Sequence, residues 1–446
     1  MNYAYKSSSW RRTAPSLRQP TFRFFVHNLS SFVRRSPLDF SSTDFFDAKA
    51  VTAYLCMAAN PSAYQVSDIC LGKPGLWCLS AKLITIGDAL SALRRSGETY
   101  LSIWTCDHGR SKPVKNGAEE CRCIGKVCLG NIICFLVKED NLKDPVAALR
   151  EPVVRLLPPS KVPSIVRHLE PHASLLEAID LILEGAQNLV IPIHSPFRKK
   201  QIQNLSSKST LHDNYREYCW LTQEDVIRNL LNSIYLFSAI SNQSIESLGI
   251  IETKSTGAVH YDDSAASALP FISQSILNQT AVAVLNDDHK LIGEISHVTL
   301  NACDESVAAA IATLSIGELI AYIDGVDPPE EMTQLVKERL DGMNLMGALE
   351  LMEDDLGTLS TCSSYSSSDD DESLTGRRLT RSLSRTMRSR DPVVCYPWSS
   401  LIAVMIMAIS HRLGYLWVVE EDGTVAGIVT YAGMLQVFRE RLKLAS

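Results

Sequence analysis

The sequence HRLGYLWVVEEDGTVAGIVTYAGML, residues 411–435, contains two short apolar runs separated by the polar turn EEDGT. Runs of β-branched and aromatic residues on either side of an Asp-Gly pair predict a β-hairpin. The residues before and after the hairpin have the pattern of helices. This stretch therefore predicts a helix, a hairpin and a second helix, with His411 and Arg412 immediately before the first strand.

The same pattern occurs three more times in the chain. Each copy is also preceded by an apolar helix with an N-cap signal, at Thr85, Ser174, Ser264 or Ser399. Ser174 and Glu177 have the spacing of a capping box. The other hairpins are YLSIW (100–104) with CIGKVCLGNII (123–133), NLVIPI (188–193) with YCWLTQEDVIRNLL (218–231), and TAVAVLNDDHKLIGEISHVTL (280–300).

The spacing of the four copies indicates a repeated unit. Equivalent positions just inside the last helix of each copy, Asn131, Asp225, Thr299 and Gly433, are 94, 74 and 134 residues apart. Two polar segments, residues 194–217 and 325–391, lengthen the first and third intervals by 24 and 67 residues. Without these insertions the spacings are 70, 74 and 67, which predicts four repeats of one supersecondary unit.

Composition limits the class of protein. The chain has 446 residues, of which 46% are hydrophobic and 21% charged, as in a soluble globular protein. Its net charge of -7 gives no reason to expect a nucleic-acid partner. Its longest apolar runs, such as residues 401–409, fall short of the ~20 residues of a membrane-spanning helix. The twelve scattered cysteines suggest a reducing compartment rather than a disulfide scaffold.

The N-terminal extension, residues 1–56, differs from the rest. Its first 38 residues contain six arginines, many serines and no acidic residue, which is typical of an organellar transit peptide. The alternative is that these residues are not part of the functional protein, because Met57 could serve as an alternative start. We therefore expect a cytoplasmic protein, or a chloroplast or mitochondrial one if residues 1–56 are a transit peptide.

The repeated unit of strand, helix, strand, strand and helix resembles the cystathionine-beta-synthase (CBS) domain family over roughly residues 66–441. The resemblance implies an α/β (α+β) fold in which four CBS repeats pair into two Bateman modules. The repeat order and the serine-rich insertion are similar to plant CBS-domain-containing proteins related to the gamma regulatory subunit of AMP-activated and SNF1-type kinases. The repeats are expected at 66–140, 152–240, 244–314 and 315–441, the last interrupted by the insertion 325–391.

A cleft between paired sheets can hold an adenine against apolar strand residues, while helix N-termini favour anions. The resemblance implies that a Ser or Thr ends the strand and that an Asp three residues later accepts both ribose hydroxyls. Thr222 and Asp225 match this pattern in full. The alternative is ordinary helix capping. The other repeats depart from the pattern, with Cys128 and Asn131, Ser296 and Thr299, and Thr430 and Gly433. Asn131 and Thr299 could still make single hydrogen bonds, Gly433 cannot, and Ser296, Thr299 and Thr430 are kept as nucleotide-binding candidates.

His411 and Arg412 occupy the place where, by resemblance, gamma-type subunits carry a basic pair that reaches ligand phosphates. A guanidinium can bind a phosphate through two parallel hydrogen bonds. The alternative is that cations simply suit the last turn of a helix, with Gly414 as its C-terminal cap.

A weak metal candidate surrounds the first hairpin. Cys106, His108, Cys121 and Cys123 are of zinc-ligand type, and alternate residues on a strand point the same way. The usual Cys-x-x-Cys spacing is absent, so reduced thiols are the favoured interpretation and no metal is expected.

The insertion in the fourth repeat has two expected parts. Residues 329–352 have apolar residues at helical spacing and predict an amphipathic helix that docks on the modules or on a partner. Residues 353–391 form an acidic and then basic linker that lacks the apolar content to fold. Serines next to its acidic or arginine residues are candidate phosphorylation sites, namely Ser366, Ser367, Ser368, Ser382 and Ser384. The alternative is a plain solvated linker.

No segment is left for a catalytic domain, and no Walker loop, Gly-x-Ser-x-Gly elbow or His-Glu-x-x-His motif is present. We therefore expect a regulatory protein that senses AMP, ADP, ATP or S-adenosylmethionine and modulates a partner, such as a kinase complex. Homodimers could form through the CBS modules. The alternative is a ligand-free scaffold that acts through its docking helix and linker. Trp220 and Trp417 on the cleft strands favour the scaffold, and Asp225 favours the sensor.

Overall fold

The computed structural model describes residues 65–106, 122–158, 165–193, 217–253, 257–324, 328–352 and 391–445. They belong to one compact unit, Cys56–Ser446. Within these ranges, twelve strands form four separate three-stranded sheets. In each sheet the central strand pairs parallel with the first strand and antiparallel with the third. The predicted α/β fold of four repeats is confirmed.

Repeats 1 and 2 each contain the five expected elements. Repeat 1 contains β1 (Cys78–Ser80), α2 (Ile86–Ser96), β2 (Leu101–Trp104), β3 (Cys123–Val127) and α3 (Leu129–Leu136). Repeat 2 contains β4 (Val166–His168), α6 (Leu175–Leu183), β5 (Asn188–Ile193), β6 (Glu217–Thr222) and α7 (Gln223–Asn232). The short helix α1 (Val66–Ile69) precedes repeat 1, and α4 (Glu139–Lys143), α5 (Pro145–Arg150) and a 3-10 turn (Val153–Leu156) follow it.

Repeats 3 and 4 follow the same order. Repeat 3 contains β7 (Ala258–His260), a 3-10 turn (Ala265–Ala268), α9 (Leu269–Asn278), β8 (Ala281–Leu285), β9 (Leu291–Ser296) and α10 (His297–Asn301). Repeat 4 contains β10 (Val394–Cys395), α14 (Leu401–His411), β11 (Tyr415–Val419), β12 (Val425–Thr430) and α15 (Tyr431–Ala445). The remaining elements are a 3-10 turn (Ile234–Phe237), α8 (Ser238–Ser241), α11 (Val307–Thr313), α12 (Ile316–Asp324), α13 (Glu330–Gly342) and a 3-10 turn (Met346–Leu351).

Helix starts follow the N-cap prediction in two repeats. Thr85 and Asp88 form a full capping box at α2, in which the Thr85 hydroxyl accepts from Asp88 N and Asp88 Oδ2 accepts from Thr85 N. Ser174 caps α6 by accepting from Glu177 N, but no bond returns from the Glu177 side chain. The predicted capping box at Ser174 is therefore only half formed.

The other two N-cap predictions are wrong in detail. Ser400, not Ser399, caps α14, because the Ser399 hydroxyl instead accepts from Tyr396 N at 3.0 Å. Ser264 makes no side-chain cap, and a 3-10 turn separates it from α9. Pro270 lies in the first turn of α9. Proline has no backbone N–H, so this position needs no hydrogen-bond acceptor from a capping side chain.

Each repeat has one left-handed residue between its first helix and its central strand. These are Gly97 (φ 68°), Gly185 (φ 105°), Gln279 (φ 55°) and Arg412 (φ 55°). The prediction that Gly414 caps α14 is wrong, since Arg412 itself takes the left-handed conformation. Leu413 N then donates to Ala408 O at 2.9 Å, which closes the helix and buries Leu413.

The sheets pack in pairs and define two modules. Apolar residues of repeats 1 and 2 form one cluster between their sheets, including Trp104, Val190 and Tyr218. Tyr415 and Trp417 of repeat 4 pack with alanines of repeat 3 in a second cluster. Repeats 1 and 2 therefore form module 1, and repeats 3 and 4 form module 2.

The helices join the two modules through larger apolar cores. One core combines helices of repeats 1 and 3, and the other combines helices of repeats 2 and 4. An ion pair crosses each contact, Arg94 with Glu305 on one side and Arg439 with Asp180 on the other. Among the described residues, the contact between the modules is thus mainly apolar, with a charged link on each side.

The segment that leads into each module packs on the second repeat of that module. Leu76 N donates to Tyr218 O at 2.8 Å, so residues before β1 run beside β6. In module 2, Glu252 N donates to Ile428 O at 2.8 Å, and Ile428 N donates back to Glu252 O. The Leu76 contact is near the start of β6, whereas the Glu252 contact is near the end of β12; in module 1 the end of β6 is reached by Lys73, whose ammonium donates to Trp220 O.

Helix α13 of the insertion packs on the body of the protein. Its Val336 and Leu340 are fully buried in the core shared by repeats 1 and 3. Arg339 forms a two-pronged ion pair with Glu318 of α12, with N–O distances of 2.6 and 2.8 Å. None of the described helices is both long and apolar enough to cross a membrane.

Candidate functional site

Repeat 2 places Thr222 and Asp225 at the start of helix α7. Thr222 ends β6 and is the N-cap residue, and the two residues form a full capping box. Asp225 Oδ2 accepts from Thr222 N at 2.8 Å and from the Thr222 hydroxyl at 2.6 Å. The pair therefore caps the helix, as the alternative interpretation expected, and holds one carboxylate oxygen in a fixed position.

Lys73 completes this site and was missed by the sequence analysis. Its ammonium forms an ion pair with Asp225 Oδ2 and also donates to Trp220 O at 2.9 Å. Both side chains are about one fifth exposed, at 21% and 18%. A lysine 152 residues away thus holds the carboxylate that would accept ribose hydroxyls.

Repeat 4 has a different arrangement at the equivalent place. The Thr430 hydroxyl donates to Glu252 Oε1 at 2.9 Å, and Gly433 N donates to Thr430 Oγ1 at 3.1 Å. A side chain at Gly433 would approach the backbone oxygen of Ile250 at 3.4 Å. The leading segment of module 2 therefore lies next to position 433, at ordinary van der Waals distance from a Cβ placed there.

Repeat 1 has a buried lysine beside Cys128 and Asn131. The Asn131 side chain accepts from Cys128 N at 3.0 Å, so this pair also caps its helix. Two residues before Cys128, the Lys126 ammonium donates to Asn188 Oδ1 of repeat 2 at 2.5 Å and lies 4.2 Å from the Tyr100 ring centre. Burial lowers the pKa of Lys126 to about 7.

Repeat 3 has a carboxylate at the position equivalent to Lys126. Ser296 caps α10 by accepting from Thr299 N at 3.1 Å, and the two hydroxyls lie 2.9 Å apart. Glu294, two residues before Ser296, accepts from the Tyr415 hydroxyl at 2.7 Å and from the Trp417 indole at 2.6 Å. Burial raises the pKa of Glu294. These contacts cross the cleft of module 2 and fill it with protein side chains.

The two tryptophans noted in the sequence differ in their surroundings. Trp417 is fully buried in the cleft of module 2. Trp220 is only partly buried and packs at the edge of the module 1 cluster, next to Lys73. Trp104 is likewise fully buried in the module 1 cluster, so each cleft holds one buried indole and Trp220 lies at the edge, near Asp225.

His411 and Arg412 lie on the exposed end of helix α14. Helix α14 packs against α7, the helix that begins beside Asp225. In the described part of the chain, the hydrogen bonds of Asp225 go to Thr222 and Lys73, and Arg412 is not among its partners. The structure thus brings the two helices together, with no hydrogen bond or ion pair between Arg412 and Asp225 among the described residues.

The candidate zinc ligands are only partly described. Cys106 and Cys123 are buried in the cleft cluster of module 1, and Cys123 Sγ donates to Gly125 O at 3.3 Å. Burial raises the pKa of the Cys123 thiol. Within the described ranges, no three His, Cys, Asp or Glu residues are grouped as metal ligands.

Several predictions concern residues outside the described ranges. They are the extension 1–56, His108, Cys121, the linker from residue 353 to 390, and Ser366, Ser367, Ser368, Ser382 and Ser384.

Relatives of known sequence define the family. The CBS domain family matches residues 385–440. The chain is 45% identical over 399 residues to the CBS domain-containing protein CBSX5 of Arabidopsis thaliana, an alignment that covers 87% of this chain and 99% of that protein. It is 25% identical over 412 residues to CBSX6 of the same plant, with coverage of 83% and 92%. The chain belongs to the family of CBS domain-containing proteins.

Solved structures with low identity are also similar to this chain. MJ1225 of Methanocaldococcus jannaschii, described as a putative archaeal homolog of g-AMPK, is 15% identical with a TM-score of 0.48. That comparison covers 84% of this chain and 100% of MJ1225. CBSX2, solved in complex with AMP, is 13% identical with a TM-score of 0.23 over 46% of this chain and 99% of CBSX2.

Proposed function

We propose that this protein is a non-catalytic regulator in which repeat 2 binds the ribose of an adenosine-containing ligand. The observation that carries the proposal is the Asp225 carboxylate, which is partly exposed at the end of the module 1 cleft and fixed by Thr222. A carboxylate is an acceptor for two hydroxyl groups, and ribose supplies two adjacent ones. Repeat 2 is the repeat in which this carboxylate is present three residues after the strand-end threonine.

A ribose that bonds both oxygens of Asp225 would displace Lys73 from Oδ2, the oxygen with which it pairs. Lys73 has a flexible four-carbon stem and a charged end group that binds phosphate as a point charge. The same ammonium that pairs with Asp225 in the free protein is therefore available to a ligand phosphate. Because Lys73 belongs to the segment leading into repeat 1, its movement links ligand binding to that segment.

Module 2 is assigned a structural role in this proposal. Glu294 joins Tyr415 and Trp417 across the cleft, and Trp417 has no exposed surface. An adenine could enter only by breaking two hydrogen bonds to a half-buried carboxylate and displacing a buried indole. The scaffold alternative is therefore favoured for module 2, and the sensor for module 1.

The partner is proposed to be a protein whose activity changes with the ligand state of module 1. The sequence resemblance to gamma subunits makes a SNF1-type kinase complex the first partner to test. Purified kinase complex should change activity on adding the protein with AMP, and should not change with AMP alone. Identical kinase rates with and without the protein would remove this partner from the proposal.

A thermal-shift panel tests the ligand part of the proposal. The probes are adenosine, AMP, ADP, ATP, S-adenosylmethionine and NADH, with AMP first because it is the ligand of CBSX2. A ligand that binds only the folded protein raises its melting temperature. Asp225→Ala should weaken every adenosine ligand by about 1–3 kcal/mol, because a charged acceptor for two hydroxyls is lost.

Asp88→Ala is the matched control for this experiment. Asp88 makes the same capping box with Thr85 that Asp225 makes with Thr222, but at helix α2. Both variants keep the N-cap threonine and lose the N3 carboxylate that completes the capping box, and only Asp225→Ala should lose ligand affinity. Equal ligand shifts for the two variants would contradict the ribose site.

A further inference from the structure

A buried polar cluster joins repeat 1 to repeat 3 where the two modules meet. Its members are Tyr100 and Lys126 of repeat 1 and His297 of repeat 3. The Lys126 ammonium lies 4.2 Å from the centre of the Tyr100 ring. The centres of the Tyr100 and His297 rings are 6.3 Å apart, and the two ring planes are inclined by 33°. Tyr100 therefore connects a lysine of module 1 with a histidine of module 2.

The helices around this cluster are closely packed across the junction. Gly130 N of helix α3 donates to Asn301 Oδ1 of helix α10 at 3.2 Å. A Cβ atom at Gly130 would lie 3.0 Å from Ile276 Cδ1 of helix α9. Repeat 1 and repeat 3 therefore meet here without space for an added methyl group at Gly130, and the polar cluster lies inside a tight contact.

Lys126 and His297 are buried in this contact without a negative charge beside them. Their exposed fractions are 5% and 9%. The acceptor for Lys126 is the neutral amide oxygen of Asn188 at 2.5 Å, and no carboxylate among the described residues pairs with Lys126. His297 Nδ1 is buried and has no hydrogen-bond partner in the same part of the chain. A proton added to either side chain is therefore a buried charge without compensation.

The titratable groups that face Lys126 are Tyr100, Cys128 and His297. Burial raises the pKa of Tyr100 and of Cys128, so neither supplies a negative charge near neutral pH. Burial lowers the pKa of Lys126 to about 7, and burial together with the Lys126 charge lowers the pKa of His297 to about 4. In water these two side chains have their ordinary pKa values of 10.5 and 6.5. Opening the junction therefore takes up one proton on Lys126 between pH 7 and 10.5, and one on His297 between pH 4 and 6.5.

We propose that the contact between repeat 1 and repeat 3 is a proton-sensitive junction, which opens with uptake of a proton by Lys126 and, at lower pH, by His297. Closure is most favourable at high pH and weakens as pH falls, because the open junction binds more protons than the closed one. Within each window, the ratio of open to closed junction rises about tenfold for every pH unit of acidification.

The junction adjoins the proposed ligand site without depending on it. Asn188, which accepts from Lys126, is paired with Thr222 in the ladder between β5 and β6. Thr222 in turn holds Asp225 through the capping box of helix α7. The proton-binding groups themselves are protein side chains, so the junction responds to pH whether or not a nucleotide binds.

Amide hydrogen exchange of the full chain, followed by mass spectrometry from pH 7 to pH 9 without nucleotide, tests this junction. Where reclosing is fast, an amide exchanges at its intrinsic rate multiplied by the ratio of open to closed states. The intrinsic rate rises in proportion to hydroxide concentration, while the opening ratio falls by the same factor in the wild type. We therefore expect peptides from α3 and α10 to exchange at a nearly constant rate across this range. In Lys126→Met their rates should rise about tenfold per pH unit, and the exposed-site control Lys337→Met should behave as the wild type.

Helix α6, in the core shared by repeats 2 and 4, distinguishes opening of the junction from unfolding of the whole chain. Its peptides should speed up with pH at the intrinsic slope in the wild type, and this comparison of α6 with α3 needs no variant. His297→Gln should keep the constant rates of α3 and α10 above pH 7 but lose the proton-linked opening between pH 6.5 and 4.5. The proposal is overturned if α3 and α10 of the wild type speed up with pH as steeply as in Lys126→Met. It is also overturned if α6 shows the same constant rate, because the proton uptake then belongs to global unfolding.

Discussion

Replacing Lys126 by methionine should change the pH dependence of stability in a defined direction. Lys126 is 5% exposed and donates to Asn188 across the cleft of module 1. Its folded-state pKa of about 7 lies below the ordinary value of 10.5. The unfolded chain therefore binds more protons than the folded one between these two values, and stability of the parent rises with pH across that window.

The magnitude follows from the same pKa values. At 1.36 kcal/mol per pKa unit, the buried charge costs the parent on the order of 5 kcal/mol below pH 7. Methionine removes this cost but leaves the Asn188 oxygen without its donor, at about 1–3 kcal/mol. Lys126→Met should therefore be more stable than the parent by roughly 2–4 kcal/mol at pH 6.5, and this advantage should fall by roughly 4 kcal/mol at pH 10.

Urea unfolding followed by tryptophan fluorescence, from pH 6.5 to pH 10, measures this difference. Groups that do not interact with Lys126 contribute equally to both proteins, so the difference curve reports Lys126 together with Cys128 and His297, whose pKa values Lys126 lowers. Lys337→Met, at an exposed position of helix α13, is the control and should give a flat difference curve. If the free energies of unfolding of the parent and Lys126→Met differ by a constant amount across this pH range, the lowered pKa of the buried Lys126 is refuted.

Three further substitutions have expected outcomes. Arg412→Gly should raise the melting temperature, with a gain of up to about 1 kcal/mol, because the backbone of Arg412 has the left-handed conformation, which glycine adopts without strain. A loss of stability equal to that of Arg412→Ala would contradict this. Arg339→Met should cost about 1 kcal/mol at pH 7, since the pair is partly exposed. Arg339 lowers the pKa of Glu318 to about 2, so this contribution is present above pH 4.5 and lost as pH falls towards 2; melting curves of variant and parent that stay equally far apart from pH 5 to pH 2 would exclude it. Trp417→Ala should cost about 3–5 kcal/mol by denaturation and leave Glu294 short of a donor, without changing AMP affinity; a change in affinity would assign ligand binding to module 2.

The four repeats were predictable because their signals are local. A hairpin such as residues 415–430 and a cap such as Thr85 are defined by residues close together in the sequence. The end of helix α14 was misplaced because Gly414 is the usual residue for a C-terminal cap. Burial of Leu413 instead requires the chain to reverse at Arg412, and that requirement depends on tertiary packing.

The candidate site was only half predictable. Thr222 and Asp225 are three residues apart and form a recognisable pattern, but Lys73 reaches Asp225 from the segment that precedes repeat 1. Nothing local to either residue encodes that contact. Lys126 and Glu294 did carry a signal, since each is a lone charge in an apolar strand, two residues before the residue that caps the next helix. Their partners lie in the opposite sheet, so only the pairing of repeats identifies them.

Titration calorimetry with adenosine and AMP on the wild-type chain, Lys73→Met and Asp225→Ala tests the central claim most directly. Our account predicts saturable binding at a single site in the wild type and loss of roughly 1–3 kcal/mol for both ligands in Asp225→Ala. Lys73→Met should bind adenosine more tightly, because no ion pair has to be broken, and should gain less for AMP, because a phosphate partner is lost. Binding that is absent in all three proteins, or that is unchanged by Asp225→Ala, would contradict a ribose site in repeat 2.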